Sequence, residues 1–211
     1  MYIPRHFEPS SVEVMHALIR ACPLATLITL GPEGVNANHI PLQLSPEPAP
    51  HGLLSGHLPR ANPAWREHAA DRDVLAIFHG PNAYISPSWY ATKQASGEVV
   101  PTWNYTVVHA RGRLRVIDDA DWLKAHLEQL TNTHEASLPQ PWAVSDAPAD
   151  YTAKLMRGLV GIEIDITLLE GKWKSSQNRP REDRAGVVAG LRSLGQDSAR
   201  AMADLVAGEP S

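Results

Sequence analysis

Leu24-Ala25-Thr26-Leu27-Ile28-Thr29-Leu30, followed by Gly31-Pro32-Glu33-Gly34 and then Val35 to Leu44, is the stretch from which the fold is read. A short apolar run bounded by Pro23 and a Gly-Pro turn has the length and composition of a buried strand. The four turn residues reverse the chain, and the second strand returns beside the first as an antiparallel hairpin. Pro41 has no N–H to give to a ladder, so that end of the second strand is expected at a sheet edge or opening toward a site.

Upstream of the hairpin, Ser10-Ser11-Val12-Glu13 reads as a capping box. Val12, Met15, Ile19 and Cys22 recur at helical spacing, which predicts an amphipathic helix over 10–21 that covers the open end of a sheet. Downstream, Ser45-Pro46-Glu47-Pro48-Ala49-Pro50 is too rich in proline for regular structure and makes a rigid connection to a third strand, Gly52 to His57. Val74 to Phe78 is a buried strand ended by Gly80-Pro81-Asn82, with Ala83 to Ser86 after it and Pro87 as a stop. Thr102 to Ile117 is the longest strand, with Gly112 marking a bulge or bend. Asp118 is read as the cap of a helix that carries Leu123, Leu127 and Leu130 on one face. A shorter helix follows over Asp150 to Arg157. Ile162, Ile164 and Ile166 alternate with Glu163, Asp165 and Thr167 as a half-buried strand. Two helices, 181–193 and 197–206, complete the chain. About six strands at hairpin spacing with peripheral helices indicate a mainly β fold: a closed, six-stranded, mostly antiparallel barrel over 1–180, with a helical extension over 181–211 packed on it or on a second subunit.

The 211 residues, 43% of them hydrophobic, suffice for one sizeable core, and a formal charge of −4 provides no global attraction to nucleic acid or anionic membrane. With Cys22 as the one cysteine, no intrachain disulfide forms. No apolar run approaches the ~18 residues of a membrane span, and Met1 to Arg5 has no signal-peptide core, so a cytoplasmic protein is expected. The sequon at Asn104 is then idle. Ten histidines show no His-x-His or His-Glu-x-x-His spacing, which argues against a metal site, and no Ser sits in a nucleophile elbow, so no catalytic residue is assigned.

Two polar, cation-bearing stretches stand at strand ends. The first is Ser55-Gly56-His57-Leu58-Pro59-Arg60-Ala61-Asn62-Pro63. Asn62-Pro63 has the signature of a helix start, and Arg60 delivered beside it makes a receptacle for an anion such as phosphate, while Gly56 lets a flat ligand approach the backbone. The bland reading leaves Asn62 as a cap and Arg60 in solvent. The second is Gly171 to Arg179, the most cationic short stretch of the chain. Tyr84 to Tyr90 and Val100 to Tyr105 add rings, hydroxyls and amides, Trp103 and Asn104 among them, suited to a slot for a planar heterocycle.

These segments, with Met1 to Phe7, Gly56 to Pro63 and Lys174-Ser175-Ser176-Gln177-Asn178-Arg179, resemble in order and over nearly the whole chain the PaiB-type FMN-binding negative transcriptional regulators. The resemblance implies the split β-barrel of the pyridoxamine-phosphate-oxidase-like flavoproteins, a homodimer, and FMN bound between subunits. It places Asn38, His39, Ile40 and Leu42 under the isoalloxazine, Ser55, Arg60 and Asn62 on the phosphate, and Lys174 and Gln177 in the same pocket. Gly56, His57, Trp103 and Asn104 join the expected cofactor site. Two departures stand out: Arg60 lies alone between Pro59 and Ala61, where the oxidase relatives have a denser cationic clamp, and Ser175 replaces a hydrophobic residue. FMN held weakly by a non-enzymatic repressor is the expectation. The alternatives on the same fold are an FMN-dependent oxidoreductase and a haem protein with His57 or His79 as axial ligand. For DNA as a partner, 186–206 looks like a helix-turn-helix, but Asp197, Met202, Asp204 and Leu205 make its second helix a packing helix. Lys172, Lys174, Arg179, Arg181 and Arg184 form a better basic patch, interrupted by Glu182 and Asp183.

Overall fold

The computed structural model describes residues 1–208. The last three residues of the expected 181–211 extension lie outside them. In chain order the elements are α1 (Val12–Ala21), β1 (Leu24–Gly31), β2 (Gly34–Pro41), β3 (Gln43–Ser45), β4 (Leu53–Pro59), α2 (Ala64–Glu67), β5 (Val74–Ile85), α3 (Thr92–Ala95), β6 (Thr102–Ile117), α4 (Ala120–Glu135), α5 (Ala149–Met156), β7 (Leu159–Lys174), α6 (Arg181–Ser193) and α7 (Asp197–Ala207).

Among the described residues the strands form one sheet in the order β2-β1-β5-β6-β7-β4-β3. The hairpin registers as expected, with Leu24 opposite Pro41 and Gly31 opposite Gly34. The sheet has seven strands and its ladder is open, a correction to the closed six-stranded barrel. The physical reason lies at Pro41-Leu42. Val35 to Leu44 reads as one strand, but Pro41 gives no N–H, and the Leu42 N–H goes to the Pro23 carbonyl at 2.9 Å. Beyond Leu42 the chain pairs with a different partner, Gln43 opposite Ser55 on β4. The two outermost strands of the order are thus consecutive in sequence, separated by Leu42. β5 is a second difference: it runs straight through Gly80-Pro81-Asn82, which reads locally as a turn.

The chain divides into two compact units. The central unit, Cys22–Phe78 with His109–Leu169, holds β1 to β4, α2, α4 and α5. Its core is built from the alternating inward residues of the strands: Leu27, Leu54, Leu58, Ile162 and Ile164 are almost fully buried. Here β4 pairs antiparallel with β7, Ser55 opposite Glu163. The Trp122 ring of α4 packs against β7 at Gly161, where a Cβ would run into the indole.

The terminal unit comprises Met1–Ala21, His79–Val108 and the chain from Glu170 onward. α1 buries Met15, His16, Leu18 and Ile19 along one stripe, set against β5 at Gly80 and β7 at Gly171. It therefore rests on strand faces, where an open sheet end was expected. Val187 and Leu191 of α6 and Met202, Ala203 and Val206 of α7 share a core with Ala83, Ile85 and Tyr90. Asp183, fully buried, ties α6 to the start of α3 by accepting from the Thr92 N–H and hydroxyl, both at 2.9 Å.

Candidate functional site

Of the expected cofactor residues, Asn38, His39, Ile40, Leu42, Ser55, Gly56, His57, Arg60 and Asn62 lie in the central unit, and Trp103, Asn104, Lys174 and Gln177 in the terminal one.

In the central unit, β4 sorts its residues by face. Leu54, Gly56 and Leu58 point inward, and a Cβ on Gly56 would meet Leu42 Cδ2 at 2.6 Å and the Pro41 carbonyl oxygen at 3.1 Å. The close approach at Gly56 is thus made by the chain's own β2–β3 link. Ser55 and His57 face α4. His57 Nδ1 lies 3.2 Å from His126 Nε2, and the His126 ring stacks on Trp122 with centroids 5.1 Å apart and planes 10° from parallel. Burial lowers the pKa of both imidazoles; for His126, with the His57 charge adding to it, the value falls to about 4. Trp122 Nε1 donates to Glu163 Oε1 at 3.1 Å, and Glu163 Oε2 accepts from Arg115 at 3.0 Å. Beside the histidine pair is a cavity of about 220 Å³ lined by β3, β4, α4 and Glu163. His126 was not among the expected site residues, since 69 positions separate it from His57 and no short-range pattern links them.

At the end of β4, Arg60 is fully engaged. Its two terminal nitrogens donate to both Asp118 oxygens, one at 3.1 Å, and Nε donates to the Arg157 carbonyl at 3.1 Å. The pairing raises the Arg60 pKa and lowers that of Asp118. It also moves the cap of α4 one residue on: Asp119 accepts from the Trp122 N–H at 2.8 Å, a correction to the reading of Asp118 as cap. Arg60 and Asp118 form part of the wall of a cavity of about 760 Å³, lined otherwise mainly by apolar side chains of α4, α5 and the segment between them. Asn62 donates to Asn38 Oδ1 at 2.7 Å and accepts from the Ala64 N–H at 3.0 Å. The helix it introduces, α2, is a single turn, too short to carry the dipole that an anion receptacle draws on. On β2, His39 Nδ1 lies 3.2 Å from the Thr26 hydroxyl, while Ile40 and Leu42 point into the core.

In the terminal unit, the turn after β7 is built around Ser176, a serine at φ 62°. Its hydroxyl accepts from buried Asn104 Nδ2 at 2.9 Å, and Asn104 Oδ1 is buried without a partner. Gln177 folds back on the same turn, accepting from the Ser175 N–H at 2.8 Å and donating to the Trp173 carbonyl. Lys174 donates to the Thr102 hydroxyl, and burial lowers its pKa. Trp103 is half-exposed, with its indole N–H on Asn82 Oδ1 at 3.1 Å. Lys172 sits among the rings of Tyr2, Phe7 and Tyr105.

A family model described as "Putative FMN-binding domain" matches residues 1–168. The chain belongs to that family. An uncharacterized protein of Emericella nidulans is 34% identical to it, with 98% of this chain and 96% of the relative covered. The protease synthase and sporulation protein PAI 2 of Bacillus subtilis is 32% identical, again over 98% of this chain and 96% of that one. Among solved structures, the flavocytochrome Anf3 of Azotobacter vinelandii matches with a TM-score of 0.60 at 14% identity, over 87% of this chain and 78% of that one. A FAD- and heme-binding protein of Mycobacterium smegmatis matches at 0.59 and 16% identity, over 87% and 80%. At such identities the likeness is one of fold: the mostly antiparallel sheet with flanking helices of the FMN-binding split barrels.

Two features of this FMN-binding family member fit its cofactor. The Arg60 fork already grips a planar carboxylate with both terminal nitrogens, the fork geometry that also takes phosphate, and the Asp118 side chain, 61% exposed, can yield to a competitor by turning into water. The orphaned Asn104 Oδ1 is an acceptor awaiting an N–H.

Proposed function

We infer that the chain is an FMN-binding regulatory protein of the PaiB kind, working in the cytoplasm as a homodimer and repressing through a partner whose binding responds to flavin occupancy or redox state. The observation that carries the reading is the 32% identity to the sporulation protein PAI 2 over 98% of this chain. FMN, when bound, supplies reversible uptake of electrons. The residues proposed to hold it in the central unit are Arg60 for the phosphate, with Ser55 and Asn62, and the Asn38 to Leu42 backbone for the ring.

Action through a partner is favoured because the cations near the C-terminus are largely spent inside the fold. Arg184 donates to the Val206 carbonyl at 2.7 Å, Arg179 lies over the Tyr90 ring, and Lys172 donates to the Tyr2 carbonyl. α7 buries Met202, Ala203 and Val206, and on its outer side Arg200 is paired with Asp197, and Asp204 with Arg192, so that side offers no free cation to a DNA groove.

The test is FMN titration of the purified protein followed by flavin fluorescence, alongside Arg60→Ala. Saturable binding that the variant weakens about tenfold or more supports the reading. A colourless protein that ignores FMN removes the cofactor, and a Soret band would replace flavin by haem. A salt-dependent shift of promoter DNA by the protein alone would replace the partner by direct binding.

A further inference from the structure

Arg60 stands where α4 starts and α5 ends, in the wall of the cavity of about 760 Å³, all of which lies in the central unit. Its Nε donates to the carbonyl of Arg157, the C-cap of α5, at 3.1 Å, while its terminal nitrogens take the carboxylate of Asp118, one residue before the α4 cap. Asp118 thus marks where a carboxylate sits in this wall. Its side chain is 61% exposed, and an exposed ion pair is worth little, so an incoming carboxylate can take its place. The Nε bond keeps the guanidinium aimed during the exchange.

The rest of the wall calls for a hydrocarbon. Ile117, Leu123, Val144, Met156 and Leu159 line the space. α5 turns Ala149, Thr152, Ala153 and Met156 toward it, at the spacing of one helical stripe, yet buries no residue fully. An eight-residue helix depends on burying such a stripe, and the two alanines are too small to close the gap to α4. The volume lies inside the ~300–1,000 Å³ of small-molecule pockets. The other charges of the wall offset one another. Glu128 lies 3.9 Å from Lys124, Asp119 faces the positive end of α4 that it caps, and Asp121 and Arg157 are opposite in sign.

We propose that this cavity binds a medium-chain alkyl carboxylate, its hydrocarbon between α4 and α5 and its head on Arg60 in place of Asp118. Arg60 is also the residue assigned to the FMN phosphate. On that reading, and resting on it, the two ligands exclude each other, and the carboxylate is an effector that releases the cofactor.

The probes are hexanoate, octanoate and decanoate below their micelle concentrations, titrated calorimetrically into the full-length protein with its circular dichroism spectrum unchanged. Affinity should rise by about tenfold for each two methylenes added, the scale of burying them. Acetate should not bind, octylamine should bind at least about tenfold more weakly than octanoate, and Arg60→Ala should weaken octanoate by a similar factor. Decanoate should slow hydrogen exchange in α5 and displace FMN, read by flavin fluorescence. Ala153→Phe, with Ala149→Leu as the gentler change, fills the space and should abolish octanoate binding. A flat chain-length series, octylamine binding as well as octanoate, or both filled variants binding octanoate unchanged would overturn the site. Decanoate that binds while FMN stays in place would overturn its role as effector. Failure of FMN to bind removes the flavin reading instead, and the chain-length series and the variants then decide the site by themselves.

Discussion

Asp118 holds Arg60 by both oxygens, so the guanidinium expected to grip a phosphate already has an anion of its own. Asp118→Asn removes the competing charge and keeps the side-chain volume. Affinity for FMN, and for inorganic phosphate as a simpler probe, should rise by about two- to fivefold, the scale of an exposed ion pair. The melting temperature should hardly move. Calorimetric titration of the variant and the parent protein with each ligand measures this, and an unchanged phosphate affinity would detach Arg60 from the anion.

Stability should depend on acid through the histidine pair. In the unfolded chain His126 titrates near its ordinary value of about 6.5, and in the fold near about 4 because burial and His57 disfavour its charge. Between these values the unfolded state binds more protons, so stability falls as pH drops from about 6.5 toward about 4 and is flat above that window. Urea midpoints taken from pH 7.5 to 4.5 should show the slope, and His126→Phe should flatten it.

Gly161→Val places side-chain carbons where the Trp122 ring rests on β7. The indole must move, and overpacking of this sort costs about 1–3 kcal/mol. Chemical denaturation gives the cost, while hydrogen exchange should show α4 loosening before the strands.

Asp183→Ala strips both acceptors from Thr92 at a fully buried position. A loss of about 2–4 kcal/mol is expected, from unpaired donors left where water does not reach. Thr92→Val, which deletes the hydroxyl alone, should cost distinctly less.

At Ser176, backbone and side chain pull apart in a way two variants can separate. Ser176→Ala loses the bond from Asn104 and keeps φ 62°, for about 1–3 kcal/mol. Ser176→Gly loses the same bond but relieves the left-handed backbone, so it should be the milder change by about 1 kcal/mol. A glycine variant as unstable as the alanine one would mean that the turn is not strained.

Much of the architecture was legible in the sequence because it is written in local periodicity. The alternation at Ile162, Ile164 and Ile166 and the spacing of Met15 and Ile19 each report one face of one element, and each face is buried as read. What escaped depends on contacts distant in sequence. The β2–β3 break needs Pro23 as acceptor for Leu42, and β5 passes its glycine and proline because neighbouring strands hold it extended. The same holds at the site. Asp118 looked like a helix cap because the cap and the ion-pair partner are adjacent aspartates, and only the position of Arg60 tells them apart. His126 carried no signal at all, being one histidine on an amphipathic helix until β4 brings His57 to it.

The single-residue link at Leu42 bears on solubility. A long bare strand at a sheet margin recruits foreign chains, and margins must be blunted. Here one margin is β2, which ends in a proline, and the other is β3, three residues long. By handing one run of chain from the first margin to the second, the fold leaves an intruding strand little to template on, and lengthening the link would be the simplest way to make the protein aggregate.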